Sequence, residues 1–137
     1  MTDYIIITGA SSGIGKALAV LLAAQGKIIY AVARNEANLR LLKNEFPENI
    51  YIIVADIATE TGRKKVKENI PEYVQNAYLI NNAGMMAPSG YLENVDLTQW
   101  RYQIAVNAEA PLFLTQMLLP ILKGGRVLNM SIYLTFL

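Results

Sequence analysis

A parallel β-sheet sandwiched between two layers of helices, a three-layer α/β fold, is what this sequence predicts, and three observations predict it. Apolar runs such as Tyr4–Thr8 (YIIIT) and Ile28–Ala33 (IIYAVA) lack the polar/apolar alternation of a strand with one wet face, so both faces are covered. Segments of about ten residues or more with helical spacing lie between those runs, the pattern of parallel strands joined by right-handed crossovers. The composition, 53% hydrophobic and 17% charged over 137 residues, is that of a folded chain about one domain long and excludes disorder as the main state.

Each element follows in order. Tyr4–Thr8, ended by Gly9, is the first strand. Ile14, Leu18, Leu21 and Leu22 recur at helical spacing over Ile14–Ala24, with Gly26 as the stop. Ile28–Ala33 is the second strand, and Asn35 caps a helix that carries Leu39, Leu41 and Leu42 and ends near Phe46-Pro47. Ile50–Ala55 is the third strand, after which Thr59 opens a helix with Val66 and Ile70 before Pro71. Ala77–Ile80 is a short fourth strand. The loop Asn81–Asp96, rich in Gly, Pro, Asn and Met, leads into a long helix from about Thr98 to Leu122. Pro111 either kinks that helix or falls where one backbone bond is already missing. Gly125–Met130 (GRVLNM) is the fifth strand. No repeat or linker divides the chain, so a single domain over residues 1–137 is expected.

Twelve Lys and Arg against eleven Asp and Glu leave a net charge of +1, which calls for neither nucleic acid nor an anionic membrane as partner. The basic cluster Arg63-Lys64-Lys65-Lys67 between Glu60 and Glu68 reads as a solvated helix face. The longest unbroken apolar runs, such as Ala17–Ala24, fall far short of the ~20 residues that cross a bilayer. Asp3 stands where a signal peptide carries basic residues, so the expected compartment is the cytoplasm. Neither Cys nor His occurs. Disulfides, thiolate chemistry, the commonest metal ligand and imidazole acid/base work are thereby removed. No metal is expected, and any chemistry falls to Tyr, Lys, Ser, Asp, Glu or a bound cofactor.

The informative segment is Thr8-Gly9-Ala10-Ser11-Ser12-Gly13-Ile14-Gly15, between the first strand and the first helix. Gly9 permits a tight turn, Gly13 a close approach of backbone to phosphate, and Gly15 close packing of the helix on the sheet. The free N–H groups of the first helical turn, with the dipole behind them, then face an anion. Lys16 is followed by Ala17, which departs from the nucleoside-triphosphatase pattern and favours a dinucleotide. The second strand ends Val32-Ala33-Arg34 with no acid until Glu36. An acid there would hold the 2′-hydroxyl of NAD, whereas Arg34 can fork around a 2′-phosphate. NADP(H) is therefore expected over NAD(H), the alternative being a plain surface arginine at a strand end. Two other residues keep plainer alternatives: Asp56 as a cap or turn residue, and Asn107 as a helix polar group bonded to backbone.

Thr8–Gly15, Asp56, Asn81-Asn82-Ala83-Gly84, Asn107 and Gly125–Ser131 together resemble the short-chain dehydrogenase/reductase family, single-domain reductase branch. The glycine spacing is GxxxGxG, where the epimerase-like branch has GxxGxxG. The resemblance implies an NAD(P)-binding Rossmann domain with strand order 3-2-1-4-5, of which this chain is expected to be the N-terminal half only, with the C-terminal strands missing. It implies a nicotinamide dinucleotide as partner, hydride transfer to or from a small carbonyl or alcohol substrate, and a homo-oligomer formed through the long helix. Ser11, Ser12 and Ile14 would line the pyrophosphate and ribose beside Gly9, Gly13 and Gly15. Asp56 and Ile57 would flank the adenine. Asn82, Ala83 and Gly84 would run under the ribose and brace the sheet, and Asn107 would hold a water of the proton relay. Strands one and four meet where strand order reverses, so the Gly9 loop and Asn81–Gly84 converge at the ligand crevice.

The sequence departs from the family at its serine, tyrosine and lysine. In Asn129-Met130-Ser131-Ile132 the serine position holds Ile132, and Ser131, one residue out, is turned to the opposite side of an extended chain. Tyr133 has no lysine one helical turn later, and a tyrosine without a nearby cation stays near pKa ~10. The expectation is a cofactor-binding chain of an NAD(P)-dependent oxidoreductase lineage, catalytically incomplete as written. The competing class is a non-enzymatic dinucleotide sensor or interaction module. Substrate choice is expected to lie in the loop Met85–Tyr91, which opens with the apolar Met85, Met86 and Ala87.

Overall fold

The computed structural model describes residues 2–85 and 92–131. Five strands, β1 (Tyr4–Thr8), β2 (Ile28–Ala33), β3 (Ile50–Val54), β4 (Tyr78–Asn81) and β5 (Arg126–Asn129), form one sheet in the order β3-β2-β1-β4-β5. Every pairing is parallel. The helices are α1 (Gly13–Ala24), α2 (Glu36–Glu45), α3 (Glu60–Glu68), α4 (Leu97–Ile104) and α5 (Ala110–Leu122).

Successive side chains of a strand point to opposite faces, and β1 feeds both cores. Ile5 and Ile7 pack with Ala19, Ala23, Leu39 and Leu42 of α1 and α2. Ile6 packs on the other side with Val66, Leu114 and Leu118 of α3 and α5. All of these are buried, and each large aliphatic among them contributes about 1.5–3 kcal/mol. Two covered faces are the reason β1 and β2 carry no alternation, whereas β5 at the sheet edge is exposed along its length.

The expectation of an N-terminal half with missing C-terminal strands is corrected. β5 is present and pairs with β4 from Tyr78↔Arg126 to Asn81↔Asn129. Met130 N then donates to Asn81 O at 2.9 Å, carrying the ladder one residue further. The physical reason is backbone satisfaction. β4 is buried at Leu79, Ile80 and Asn81, and its peptide groups need a partner on the side away from β1. β5 supplies it, and the 3-2-1-4-5 order is fully built.

The long helix begins at Leu97, because Asp96 Oδ1 accepts from Thr98 N at 2.8 Å. Between α4 and α5 it widens into a π-helical turn, Ala105–Glu109, directly before Pro111. Proline has no N–H for the carbonyl four residues back, and its ring crowds that carbonyl. The wider turn accommodates both effects, as π-bulges do. Pro120, which the sequence reading passed over, sits in the last turn of α5. Leu97–Leu122 as a whole is long and apolar enough to cross a membrane by length and composition, a property that counting unbroken apolar runs missed. Here its residues Ala110, Leu114, Leu118 and Leu122 are buried in the core beneath the sheet.

The basic cluster on α3 divides. Lys64, Lys65 and Lys67 are exposed, but Arg63 is buried. Its Nη1 donates to the carbonyls of Ile57 (3.0 Å) and Ala58 (3.2 Å), and its guanidinium lies 5.2 Å from the Phe113 ring centroid. Arg63 therefore braces the turn after β3 and is not part of the solvated face. Met86–Tyr91 of the expected substrate loop lie outside the described residues, as do Ile132 and Tyr133.

Candidate functional site

Strand order reverses between β1 and β4, and beyond their carboxyl ends lies an open groove of about 590 Å³. The crevice at such a reversal is where open α/β sheets hold ligands. Of the residues expected there, Gly9, Ser11, Ser12, Gly13, Ile14, Arg34, Asp56, Ile57, Asn82, Ala83 and Gly84 all line it. Gly15 does not. It is buried behind the loop, where an added Cβ would run into the Gly9 carbonyl and the Asn82 side chain. Its close packing is thus against the loop and the end of β4.

The junction of β1 and β4 is held by a residue the sequence reading did not single out. Thr8 is buried, and its Oγ1 accepts from the backbone N–H of Asn82 and of Ala83, each at 3.0 Å. Asn82 Nδ2 returns bonds to the carbonyls of Thr8 (3.2 Å) and Gly9 (3.3 Å). The two strand ends are therefore locked by reciprocal bonds that leave few polar groups unpaired. Thr8→Val keeps the shape and strands two backbone donors, so it is expected to cost about 2 kcal/mol of stability. Urea unfolding checks this, and a loss below about 0.5 kcal/mol would contradict the described role.

Above this junction α1 presents an open N-terminus. Asn35, Thr59 and Asp96 each cap their helices through a side-chain oxygen. Ser12, at the corresponding place on α1, makes no such bond, and no acidic residue stands in the first turn. The orphan N–H groups and the positive end of the dipole face the groove unsatisfied by side chains. Gly13 has φ +57 and nothing within 4 Å of where a Cβ would sit, so the loop leaves room for a ligand against its backbone. A paired phosphate fits this donor set by charge and by space.

The groove lining also carries charge. Arg34 Nη1 donates to the Tyr102 hydroxyl at 2.8 Å, and that hydroxyl donates to Asp56 Oδ2 at 2.9 Å. Asp56 Oδ1 accepts from Ala58 N at 3.0 Å, so Asp56 does serve as a turn residue while facing the groove. Partial burial, with the Asp56 carboxylate beside it, raises the Tyr102 phenol above its ordinary pKa. It stays protonated, and so able to donate, through the neutral range. Asn107 lies in the π-helical turn, where Oδ1 accepts from Met85 N at 2.9 Å and Nδ2 donates to Met85 O at 2.7 Å. Its amide clamps the start of the loop after β4.

The sequence reading missed Val32, Ala33, Asn35, Ala55 and Val106 in the groove wall. Ala33, Asn35, Ala55 and Val106 each adjoin a residue it did name, so a window of one residue around Arg34, Asp56 and Asn107 would have found them. Tyr102 carries no such signal. Among the described residues no cluster of acidic side chains is placed to hold a metal ion.

Residues 3–135 match the family model described as short chain dehydrogenase. Among curated proteins, the chain is similar to an NADPH-dependent 3-dehydrocapnine reductase of Ornithobacterium rhinotracheale, with 32% identity over 126 residues, 90% of this chain and 44% of that protein. It is also similar to sulfoacetaldehyde reductase 2 of Chromohalobacter salexigens, with 30% identity over 138 residues, 96% of this chain and 55% of that protein. Among solved structures, a metagenomic short-chain oxidoreductase in complex with NADP superposes with a TM-score of 0.86 at 27% identity, covering 94% of this chain and 62% of that one. The chain spans about half the length of the curated relatives it matches. The family match runs through β5, which replaces the expectation of an N-terminal half alone with a five-stranded core. A glycine loop opening onto an uncapped helix, set where a 3-2-1-4-5 sheet reverses, thus agrees with the match along nearly all of its residues, and the chain belongs to the short-chain dehydrogenase family.

Proposed function

We propose that the groove binds a nicotinamide dinucleotide, NADP(H) in preference to NAD(H), and that the protein is an oxidoreductase acting on a small carbonyl or alcohol. The observation that carries this reading is the uncapped N-terminus of α1, with Ser11, Ser12, Gly13 and Ile14 lining the groove it faces. These residues would hold the pyrophosphate, with Gly9 and the buried Gly15 keeping the loop in its turn. Asp56 and Ile57 would flank the adenine, and Asn82, Ala83 and Gly84 would lie along the ribose. Arg34 at the groove rim, with five N–H donors and no acid beside it on β2, supports the 2′-phosphate. The relative named as NADPH-dependent and the similar structure holding NADP support the same preference.

The chemistry supplied by the bound cofactor is hydride exchange at a carbonyl or alcohol carbon. This chain's residues bind and orient it, and Asn107 fixes the backbone at Met85 beside it. A homo-oligomer belongs to the proposal as well. Leu97, Trp100, Leu112 and Leu119 are exposed on α4 and α5, and large exposed apolar side chains favour association.

Calorimetric titration tests the cofactor preference. NADP+ is expected to bind at least about tenfold more tightly than NAD+, a difference of about 1.4 kcal/mol. NAD+ binding as tight as NADP+ would overturn the preference. Turnover is read separately, as NADPH oxidation with a panel of ketones and aldehydes. Oxidation no faster than in buffer would remove the oxidoreductase and leave a dinucleotide-binding module.

A further inference from the structure

Arg34 is not free at the rim of the groove. Its Nη1 donates to the Tyr102 hydroxyl at 2.8 Å, and its guanidinium carbon lies 5.5 Å from the Tyr102 ring centroid. The same hydroxyl donates to Asp56 Oδ2 at 2.9 Å. Chemistry fixes the direction of both bonds. A guanidinium only donates, so the single phenolic proton goes to the carboxylate. Tyr102 of α4 thereby links the ends of β2 and β3, and no other side-chain hydrogen bond joins those two ends among the described residues. Arg34 and Asp56 both line the groove, whereas Tyr102 does not. The hydroxyl therefore holds the two charged groups from outside the space a ligand would take.

We infer that Tyr102 is a positioning residue that sets the preference for a 2′-phosphorylated adenosine, acting through Arg34. The inference rests on the dinucleotide reading of the groove. Placed between guanidinium and carboxylate, the hydroxyl keeps them from closing into a direct ion pair, which would compete with a phosphate for the same donors. It engages one N–H of Arg34 and leaves the rest of the fork available, already ordered. Without the hydroxyl, Arg34 either pairs with Asp56 or is released into water, and either outcome weakens capture of a phosphate dianion. A purely structural role is a poor explanation, because Arg34 is exposed and polar contacts of exposed charges contribute little to stability.

The test is a double-mutant cycle on the full chain with Tyr102→Phe and Arg34→Ala, titrated with NADP+, NAD+ and 2′,5′-ADP. The last carries the phosphorylated ribose without the nicotinamide half. Tyr102→Phe keeps the ring and its contact with the guanidinium, so the hydroxyl alone is removed, and melting is expected to stay within about 2 °C of the parent. The expected result is an about tenfold loss of affinity for NADP+ and 2′,5′-ADP, an about twofold or smaller loss for NAD+, and no further loss when Tyr102→Phe is added to Arg34→Ala. An unchanged ratio of NADP+ to NAD+ affinity, an equal loss for both, or losses that add in the double variant would overturn the inference. Failure of the parent chain to bind either dinucleotide would instead overturn the reading beneath it.

Discussion

Gly13→Asp is expected to lower the affinity for NADP+ at least about a hundredfold, roughly 2.7 kcal/mol, while leaving the fold in place. The two halves of that expectation come from different facts. Gly13 has φ +57 and open space where a Cβ would be. Aspartate is one of the few residues that visits this backbone region, at a cost of about 1–2 kcal/mol, so the unliganded protein accommodates it. The new carboxylate, however, stands on the lining of the groove that the first turn of α1 faces. It supplies the anion that this helix end lacks, and it repels a pyrophosphate at close range in a partly dry site. Gly13→Ala serves as the control, carrying the backbone cost without the charge, and is expected to lose much less affinity. Calorimetric titration with circular dichroism alongside reads both halves. Undiminished affinity in a folded Gly13→Asp would show that no phosphate rests on this loop.

Gly9→Val is expected to act on the fold. Gly9 has φ +66, and a Cβ there would stand 2.8 Å from Ala83 Cα and 3.0 Å from Ala83 N. The obstructing atoms are backbone, held in place by the two bonds to Thr8 Oγ1, and they cannot swing aside as a long side chain would. A β-branched residue in a left-handed conformation adds its own strain. Together these are expected to destabilise the protein by about 3 kcal/mol or more. Denaturant unfolding checks the value, and a midpoint equal to that of the parent would mean that β1 and β4 are not locked as described. Because the same junction floors the groove, any folded fraction is also expected to bind dinucleotide more weakly.

The parts of this site that were legible in the sequence are those whose demands are local. Gly9 and Gly13 need unusual backbone angles that their immediate neighbours impose, and Asn35, Thr59 and the strand runs announce themselves within a few residues. The strand order follows from the family resemblance and holds, but the same resemblance carries the expectation of missing C-terminal strands. β5 corrects it, since Val127-Leu128 finds its partner in β4. What the sequence hid is long-range. The Thr8 hydroxyl matters only when Asn82 arrives from 74 positions away, and Tyr102 matters only where it meets Asp56 and Arg34, 46 and 68 positions distant. Arg63 was hidden differently. Its neighbours on α3 are solvated, and only the turn after β3 and Phe113 reveal that it points inward.

The most direct measurement is a set of 1H–15N spectra of the chain recorded as NADP+ is added. The expected result is saturable displacement of the amide signals of Ser11, Ser12, Gly13, Ile14 and Gly15, accompanied by those of Asp56 and Ala83, while signals from the far ends of the strands stay still. Saturation that leaves the Ser11–Gly15 amides unmoved, or that moves only residues remote from the β1–β4 crevice, would contradict the placement of the cofactor phosphates on α1.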